Sequence, residues 1–354
     1  MATPLPLRPN LEQYQKQAKD LLRDAVGGDA SALKRLGFAA GSGTAYTGQR
    51  LVTWQNANPP PRNHGMLDGI AHVELAVRSL SDSRSLYERL GLFPVGDGTA
   101  SDTDHACLLE VGPSILELRQ ETVPLPSQDE GEREPVQPPV IDHFALLVED
   151  MSTTYAALKE RDIPILGEPA ETAIGHRNMQ RSLLAFKDPD GLHVQISETI
   201  DPRPQAEERK AAKRRMAEGV VDGLFGGFDH ISTYCRNFGS TRAFFGKALG
   251  MEEFFHSTTR EAGTTVAQGF AQAAFAVGGT DIELATAPHD EPLQTRVIKQ
   301  LSFWTANLDG CIQHLESEGV DIDESGEWSP VDGIRHSALA IRSPDGLDIR
   351  IVEY

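Results

Sequence analysis

Cysteine is scarce. Cys107, Cys235 and Cys311 are the three cysteines in 354 residues, and no two have paired spacing. This excludes a disulfide framework and points to a reducing compartment, so a cytoplasmic location is expected, with the three thiols read as small buried side chains. Long apolar runs are also missing. None spans a bilayer, so no membrane partner is expected. The opening Met1-Ala2-Thr3-Pro4-Leu5-Pro6 lacks a basic stretch followed by an apolar one, so no secretory leader is read. Positive charge is in deficit: 33 Lys and Arg stand against 52 Asp and Glu, a formal charge of −19. That balance excludes a general nucleic-acid surface.

What is present is a repeat. Ile141-Asp142-His143-Phe144-Ala145-Leu146-Leu147-Val148 reads as a buried strand, and a helical pattern with Tyr155 and Leu158 follows. Three strand-like pieces come next. The last two are joined by the turn Asp188-Pro189-Asp190-Gly191, and the last is Leu192-His193-Val194-Gln195-Ile196. The unit is therefore βαβββ. It starts again at Ile70-Ala71-His72-Val73, at Phe228-Asp229-His230-Ile231 and at Ile298-Lys299-Gln300-Leu301. Copies one and three share helices ending in Leu-Gly (Leu90-Gly91, Leu249-Gly250) and strands Ile115 to Leu118 and Asp281 to Leu284. Copies two and four share Asp-Gly turns, Asp190-Gly191 and Asp345-Gly346. His72 to His230 is 158 positions and His143 to Gln300 is 157, as expected for a two-module unit that was doubled.

These four starts and the Asp-Pro-Asp-Gly turn resemble the vicinal oxygen chelate superfamily, which includes glyoxalase I, methylmalonyl-CoA epimerase, extradiol dioxygenases, fosfomycin-modifying enzymes and bleomycin-binding proteins. The resemblance covers about residues 67–200 and 227–354. It implies an α+β fold in which paired modules form two cup-shaped, glyoxalase-like domains. One divalent metal would sit in a cup, held by side chains from the first and last strands of each module.

The rest of the chain frames these modules. Residues 1–66 read as a helical extension and linker. Asn10 caps a helix carrying Leu11, Tyr14, Ala18 and Leu21, Asp29 caps a second with Leu33 and Leu36, and Pro59-Pro60-Pro61 is a stiff connector. The first domain is expected over 67–200, with a solvated linker from Val123 to Pro139. A charged helical linker covers 201–226, and the second domain 227–354.

Carried over residue by residue, the resemblance gives His72 and Glu117 in module one and His143 and Gln195 in module two. It gives His230 and Glu283 in module three, and Gln300 and Arg350 in module four. A guanidinium stays protonated and cannot bind a metal, so one cup is complete and one degraded. If neighbours pair, as in extradiol dioxygenases, the complete set is His72, Glu117, His143 and Gln195. If modules two and three pair, as in glyoxalase chains with four modules, it is His143, Gln195, His230 and Glu283. The long break over 201–226 favours neighbour pairing and a degraded C-terminal domain. Two imidazoles, a carboxylate and an amide suit one ion of Zn, Ni, Mn, Co or Fe(II). Such an ion would stabilise an enediolate-like anion on a substrate with vicinal oxygens, with Glu117 or Glu283 as general base. His105, His176 and His336 read as structural or exposed, and Asp188 and Asp190 as serving the turn.

Three functions fit the resemblance. The first is a metal-dependent isomerase, epimerase or lyase acting on a small molecule. The second is an Fe(II) dioxygenase, for which the metal would be expected in the C-terminal pair, where Gln300 and Arg350 stand. The third is a non-catalytic small-molecule binding protein that would use Arg350, Trp304 and Phe303. A monomer or a homodimer is expected.

Overall fold

A computed structural model describes residues 66–95, 105–121, 143–174, 179–200, 224–235, 237–259, 270–286, 298–328 and 336–354. The helices expected between Asn10 and Leu36, the linkers over 123–139 and 201–223, and His176 lie outside the described residues.

Four βαβββ modules are present. Module one is β1 (Gly69–Val77), α1 (Leu80–Leu90), β2 (Phe93–Pro94), β3 (Ala106–Val111) and β4 (Ser114–Gln120). Module two is β5 (His143–Leu147), α2 (Met151–Glu160), β6 (Ala170–Ile174), β7 (Met179–Lys187) and β8 (His193–Thr199). Module three is β9 (Gly227–Cys235), α3 (Phe238–Ala243) running on as a π turn (Phe244–Ala248), β10 (Glu252–Thr259), β11 (Phe270–Val277) and β12 (Thr280–Thr286). Module four is β13 (Ile298–Thr305), α4 (Leu308–Ser317), β14 (Ile322–Trp328), β15 (His336–Arg342) and β16 (Asp348–Glu353).

Local chemistry sets the helix ends. Ser79, Asp150, Asn237 and Asn307 each cap a helix by accepting a backbone N–H three residues on. Gly91 ends α1 at φ 104°, where the Gly91 N–H reaches Glu88 O and the Leu92 N–H reaches Tyr87 O. That left-handed turn is why the Leu-Gly pair stops the helix.

The modules pair by exchange. One eight-stranded sheet runs β14-β15-β16-β13-β1-β4-β3-β2, joining modules one and four. The other runs β10-β11-β12-β9-β5-β8-β7-β6, joining modules two and three. The expected pairing of neighbours is corrected: β1 lies against β13 and β5 against β9, both antiparallel. Loop length was a poor guide, because the long link over 201–226 joins β8 to β9 within one sheet. The short link over 287–297 leaves β12 in one sheet and enters β13 in the other.

Sequence neighbours meet by a different route. Asp190 of module two accepts from the Arg78 N–H and the Ser83 hydroxyl at the start of α1. Asp345 of module four accepts in the same way from the Asn237 N–H and the Thr241 hydroxyl of module three. A strand turns alternate side chains to opposite faces. In β5, Phe144 and Leu146 therefore face the core while His143 and Ala145 face the cup. The Phe144 ring lies 6.5 Å from Tyr87 of α1 and 5.5 Å from Phe228. One core of buried apolar residues draws on all four modules, from Leu67 to Ile351. Its burial supplies the main drive for holding both sheets on shared helices.

Candidate metal centre

Register makes the two sheets comparable position by position. In one, His72 faces Ser302 and Glu74 faces Gln300; in the other, His230 faces Ala145 and Ser232 faces His143. The parallel pairs continue the match: Glu74 beside Glu117 and Ser232 beside Glu283, Ser302 beside Arg350 and Ala145 beside Gln195. The fold thus aligns His72, Glu117, Gln300 and Arg350 in the first sheet with His230, Glu283, His143 and Gln195 in the second. The neighbour set His72, Glu117, His143 and Gln195 is split between sheets, so those four do not form one cup.

Both sheets curl strongly. β7 and β12 are four strand spacings apart, about 19 Å on a flat sheet. Yet Arg181 of β7 donates from Nη2 to Asp281 Oδ2 (2.7 Å) and from Nη1 to Glu283 Oε1 (2.9 Å), both on β12. In the other sheet, β14 and β1 are equally distant in order, and the Trp328 and His72 rings stand 5.6 Å apart.

The cup of modules two and three is a buried polar site. His143 Nε2 and His230 Nε2 lie 3.1 Å apart, with both side chains buried. Arg181 is 0% exposed and is ringed by carboxylates: Asp229 at 3.4 Å from Nε, Asp281 and Glu283. Burial alone would make Arg181 easier to deprotonate, but those three carboxylates outweigh it and raise its pKa. For Glu283, burial pushes the pKa up, while His230, Arg181 and His143 pull it down to about 2. Glu283 is therefore a carboxylate at neutral pH.

A sheet irregularity shapes this site. Ala145 pairs with His230 but Leu146 pairs with Phe228, so Asp229 is an extra residue in β9. The bulge brings Asp229 to the cup beside His230, and Asp229 Oδ2 lies 2.9 Å from His230 Nδ1. Sequence reasoning missed Asp229, Asp281 and Arg181. Asp281 in the strand Thr280-Asp281-Ile282-Glu283 carried a usable signal, since a carboxylate in an apolar strand needs a partner. Arg181 carried none, because its partners lie about 50 and 100 residues away.

The cup of modules one and four is neutralised from within. His72 Nε2 meets Glu117 Oε2 at 2.8 Å, Arg119 donates to Glu117 Oε1, and Arg350 Nη1 donates to Gln300 Oε1 (3.0 Å). Burial raises the Glu117 pKa, but His72 and Arg119 outweigh it and hold the carboxyl below its ordinary range. Arg350 also lies over the Trp328 ring at 5.7 Å. At the matching bulge stands Ala71, packed with Trp304, Ala338 and Val352. His336 occupies the position of Arg181: each is four residues before the partner of Arg350 or Gln195 on the adjacent strand (Ala340 and Ala185). His336 is partly buried and bonded to the Glu353 carbonyl, while His105 is exposed.

Among the described residues, no group of three His, Cys, Asp or Glu side chains stands ready to hold a metal. The second cup nevertheless fits one by its donors. Two imidazole nitrogens bound to one ion at about 2.1 Å and 90–110° stand about 3.0–3.4 Å apart, and His143 and His230 stand at 3.1 Å. Glu283 is ionised, and its bond to Arg181 uses one of two oxygens. Gln195 adds an amide on the strand beside Ala145. The first cup does not fit, because its imidazole and carboxylate bind each other and its fourth position is a guanidinium.

The comparisons agree with this architecture. Glyoxalase I from Zea mays is 16% identical with a TM-score of 0.53, covering 80% of this chain and 92% of that one. A provisionally assigned dioxygenase from Bacillus subtilis subsp. subtilis str. 168 is 16% identical with a TM-score of 0.53, covering 82% of this chain and 86% of that one. At such identities the likeness is one of fold. A search of curated proteins found no match. Among the described residues no helix is long and apolar enough to cross a membrane. The family model for the Glyoxalase/Bleomycin resistance protein/Dioxygenase superfamily matches residues 69–196 and 227–351, and the chain belongs to that superfamily.

Proposed function

We propose that the chain is a divalent-metal-dependent isomerase or lyase whose working site is the cup of modules two and three, acting on a small molecule with vicinal oxygens. The observation that carries this reading is the approach of His143 Nε2 to His230 Nε2 at 3.1 Å on the floor of that cup. His143, His230, Glu283 and Gln195 would hold the ion. When bound, the ion supplies a Lewis acid for substrate oxygens.

The chain's own residues do the rest. The two buried imidazoles form a rigid base on adjacent central strands. Glu283 keeps 18% of its side chain exposed, so it is the carboxylate able to meet a substrate. With a pKa near 2 it is a good anionic ligand but a weak base while bonded to Arg181. Release from Arg181 would raise its basicity and let it take a proton from a carbon beside a carbonyl. Arg181 holds the other two carboxylates, Asp229 and Asp281, in place throughout.

The test is reconstitution of the metal-free protein with Zn, Ni, Mn, Co or Fe(II), followed by turnover of a panel of α-hydroxycarbonyl and α-dicarbonyl compounds. Metal-dependent isomerisation or lyase product is expected, and no turnover with any ion rejects the reading. The donor set of two imidazoles and one carboxylate also supports an Fe(II) dioxygenase. Oxygen uptake on catechols or 2-oxo acids that depends on Fe(II) would select it. A compound bound tightly and recovered unchanged would select a binding protein.

A further inference from the structure

The bulge at Asp229 creates a contest at one atom. Asp229 Oδ2 lies 2.9 Å from His230 Nδ1, and Arg181 Nη1 lies 3.0 Å from the same nitrogen. An imidazole nitrogen cannot serve both. Protonated Nδ1 donates to the carboxylate, while bare Nδ1 accepts from the guanidinium. The outcome sets the other end of the ring. A proton on Nδ1 leaves the Nε2 lone pair facing the cup, whereas a proton on Nε2 spends that atom on the 3.1 Å contact with His143.

We infer that Asp229 is a positioning residue: it accepts the Nδ1 proton of His230 and so selects the tautomer whose Nε2 can bind a metal. This rests on the metal reading given above. The other sheet supplies the contrast. There the bulge residue is Ala71, and His72 Nδ1 has the Ser302 hydroxyl at 3.4 Å in place of a carboxylate. The His72 Nε2 meets the Glu117 carboxylate at 2.8 Å, so the proton belongs on Nε2 and the ring offers that cup no lone pair there. The two equivalent histidines are held in opposite tautomers, and the bulge residue beside them is Asp229 in one sheet and Ala71 in the other. A carboxylate behind a ligating imidazole fixes its orientation, and its loss commonly weakens metal binding by about 10–100-fold.

The experiment measures cobalt(II) affinity by competition with a chromophoric chelator, using the full chain. Asp229→Asn is expected to weaken binding about 10–100-fold, with Asp229→Ala at least as weak. Asp281→Asn also removes a carboxylate from Arg181 and serves as the control, expected to change affinity less than about threefold. Nitrogen-15 spectra of the zinc-loaded wild type should show His230 protonated on Nδ1, a readout that needs no variant to fold. Asp229→Asn binding as tightly as wild type, Asp281→Asn weakening it equally, or a proton on His230 Nε2 each overturns the assignment. A wild type that takes up no cobalt(II) overturns the metal reading itself, and this inference with it.

Discussion

His230 and His72 hold the same place in two sheets, but their Nε2 atoms meet opposite kinds of partner. His230 Nε2 meets another imidazole, His143, at 3.1 Å, and His72 Nε2 meets the Glu117 carboxylate at 2.8 Å. One cup therefore sets two imidazole nitrogens side by side, and the other closes its imidazole on a carboxylate. The difference follows from single residues at matched positions: His143 against Gln300, and Gln195 against Arg350.

Metal content should follow that division. Elemental mass spectrometry on reconstituted protein is expected to give about one ion per chain, lost in His143→Ala and in His230→Ala. His72→Ala should retain it. Retention by both of the first two variants, or loss in His72→Ala alone, would place the ion elsewhere.

The two glutamates should separate in the same way. On any substrate found active, Glu283→Gln is expected to lower kcat at least about 100-fold, the scale of a lost acid–base group. Glu117→Gln should stay within about threefold, because Glu117 is occupied by His72 and Arg119. Equal losses from both substitutions would mean that both cups contribute to turnover.

Much of this was legible in the sequence. The offsets of 158 and 157 positions marked the four modules, because side-chain alternation and turn chemistry are local, while the candidate ligand positions came from the family resemblance. Pairing was not legible. Whether β1 meets β5 or β13 depends on contacts such as Asp190 with the Arg78 N–H and Tyr87 with Phe144, which join sequence neighbours through helices and leave the sheet edges for the distant copy. Asp229 was invisible for another reason. A bulge is a property of two strands in register, and strict alternation would have sent Asp229 to the opposite face from His230. Arg181 reaches the site only because the sheet curls, which no local pattern in β7 records.

Asp188 makes stability depend on pH. It is buried, and burial with help from Asp190 lifts its pKa to about 7, against the pull of the Leu192 and Asp190 N–H groups. A carboxyl raised in the folded state favours folding when protonated. Its contribution is full below the unfolded pKa near 4 and is lost as pH rises to about 7. Asp188→Asn keeps an oxygen for both N–H groups and removes the charge. Ser343 already accepts the matching N–H of Leu347 in module four. Urea unfolding should find Asp188→Asn more stable than wild type by roughly 1–3 kcal/mol at pH 8, with the gap closing by pH 4. A gap independent of pH would mean that Asp188 stays ionised throughout.

The clasp between the two sheets gives the last prediction. The hairpin turn of module one at Gly112 abuts Gly226 and Gly227 at the start of module three. The turn of module three at Gly278 abuts Asp68 and Gly69 at the start of module one. Each glycine has positive φ, +56° and +59°, and an added Cβ would lie 2.3 Å from Gly226 O or 2.4 Å from Asp68 O. The left-handed conformation alone costs alanine about 1 kcal/mol. Here the neighbour is backbone, so one sheet must also move from the other. Gly278→Ala is expected to lower unfolding free energy by roughly 2–4 kcal/mol, the range of substitutions that force a rigid contact apart. Gly346 separates the two costs, since it has φ +87° and nothing within 4 Å of its added Cβ. Gly346→Ala should therefore lose only about 1 kcal/mol. Equal losses at Gly278 and Gly346 in chemical unfolding would reduce the clasp to a matter of backbone angle, with no close approach between the sheets.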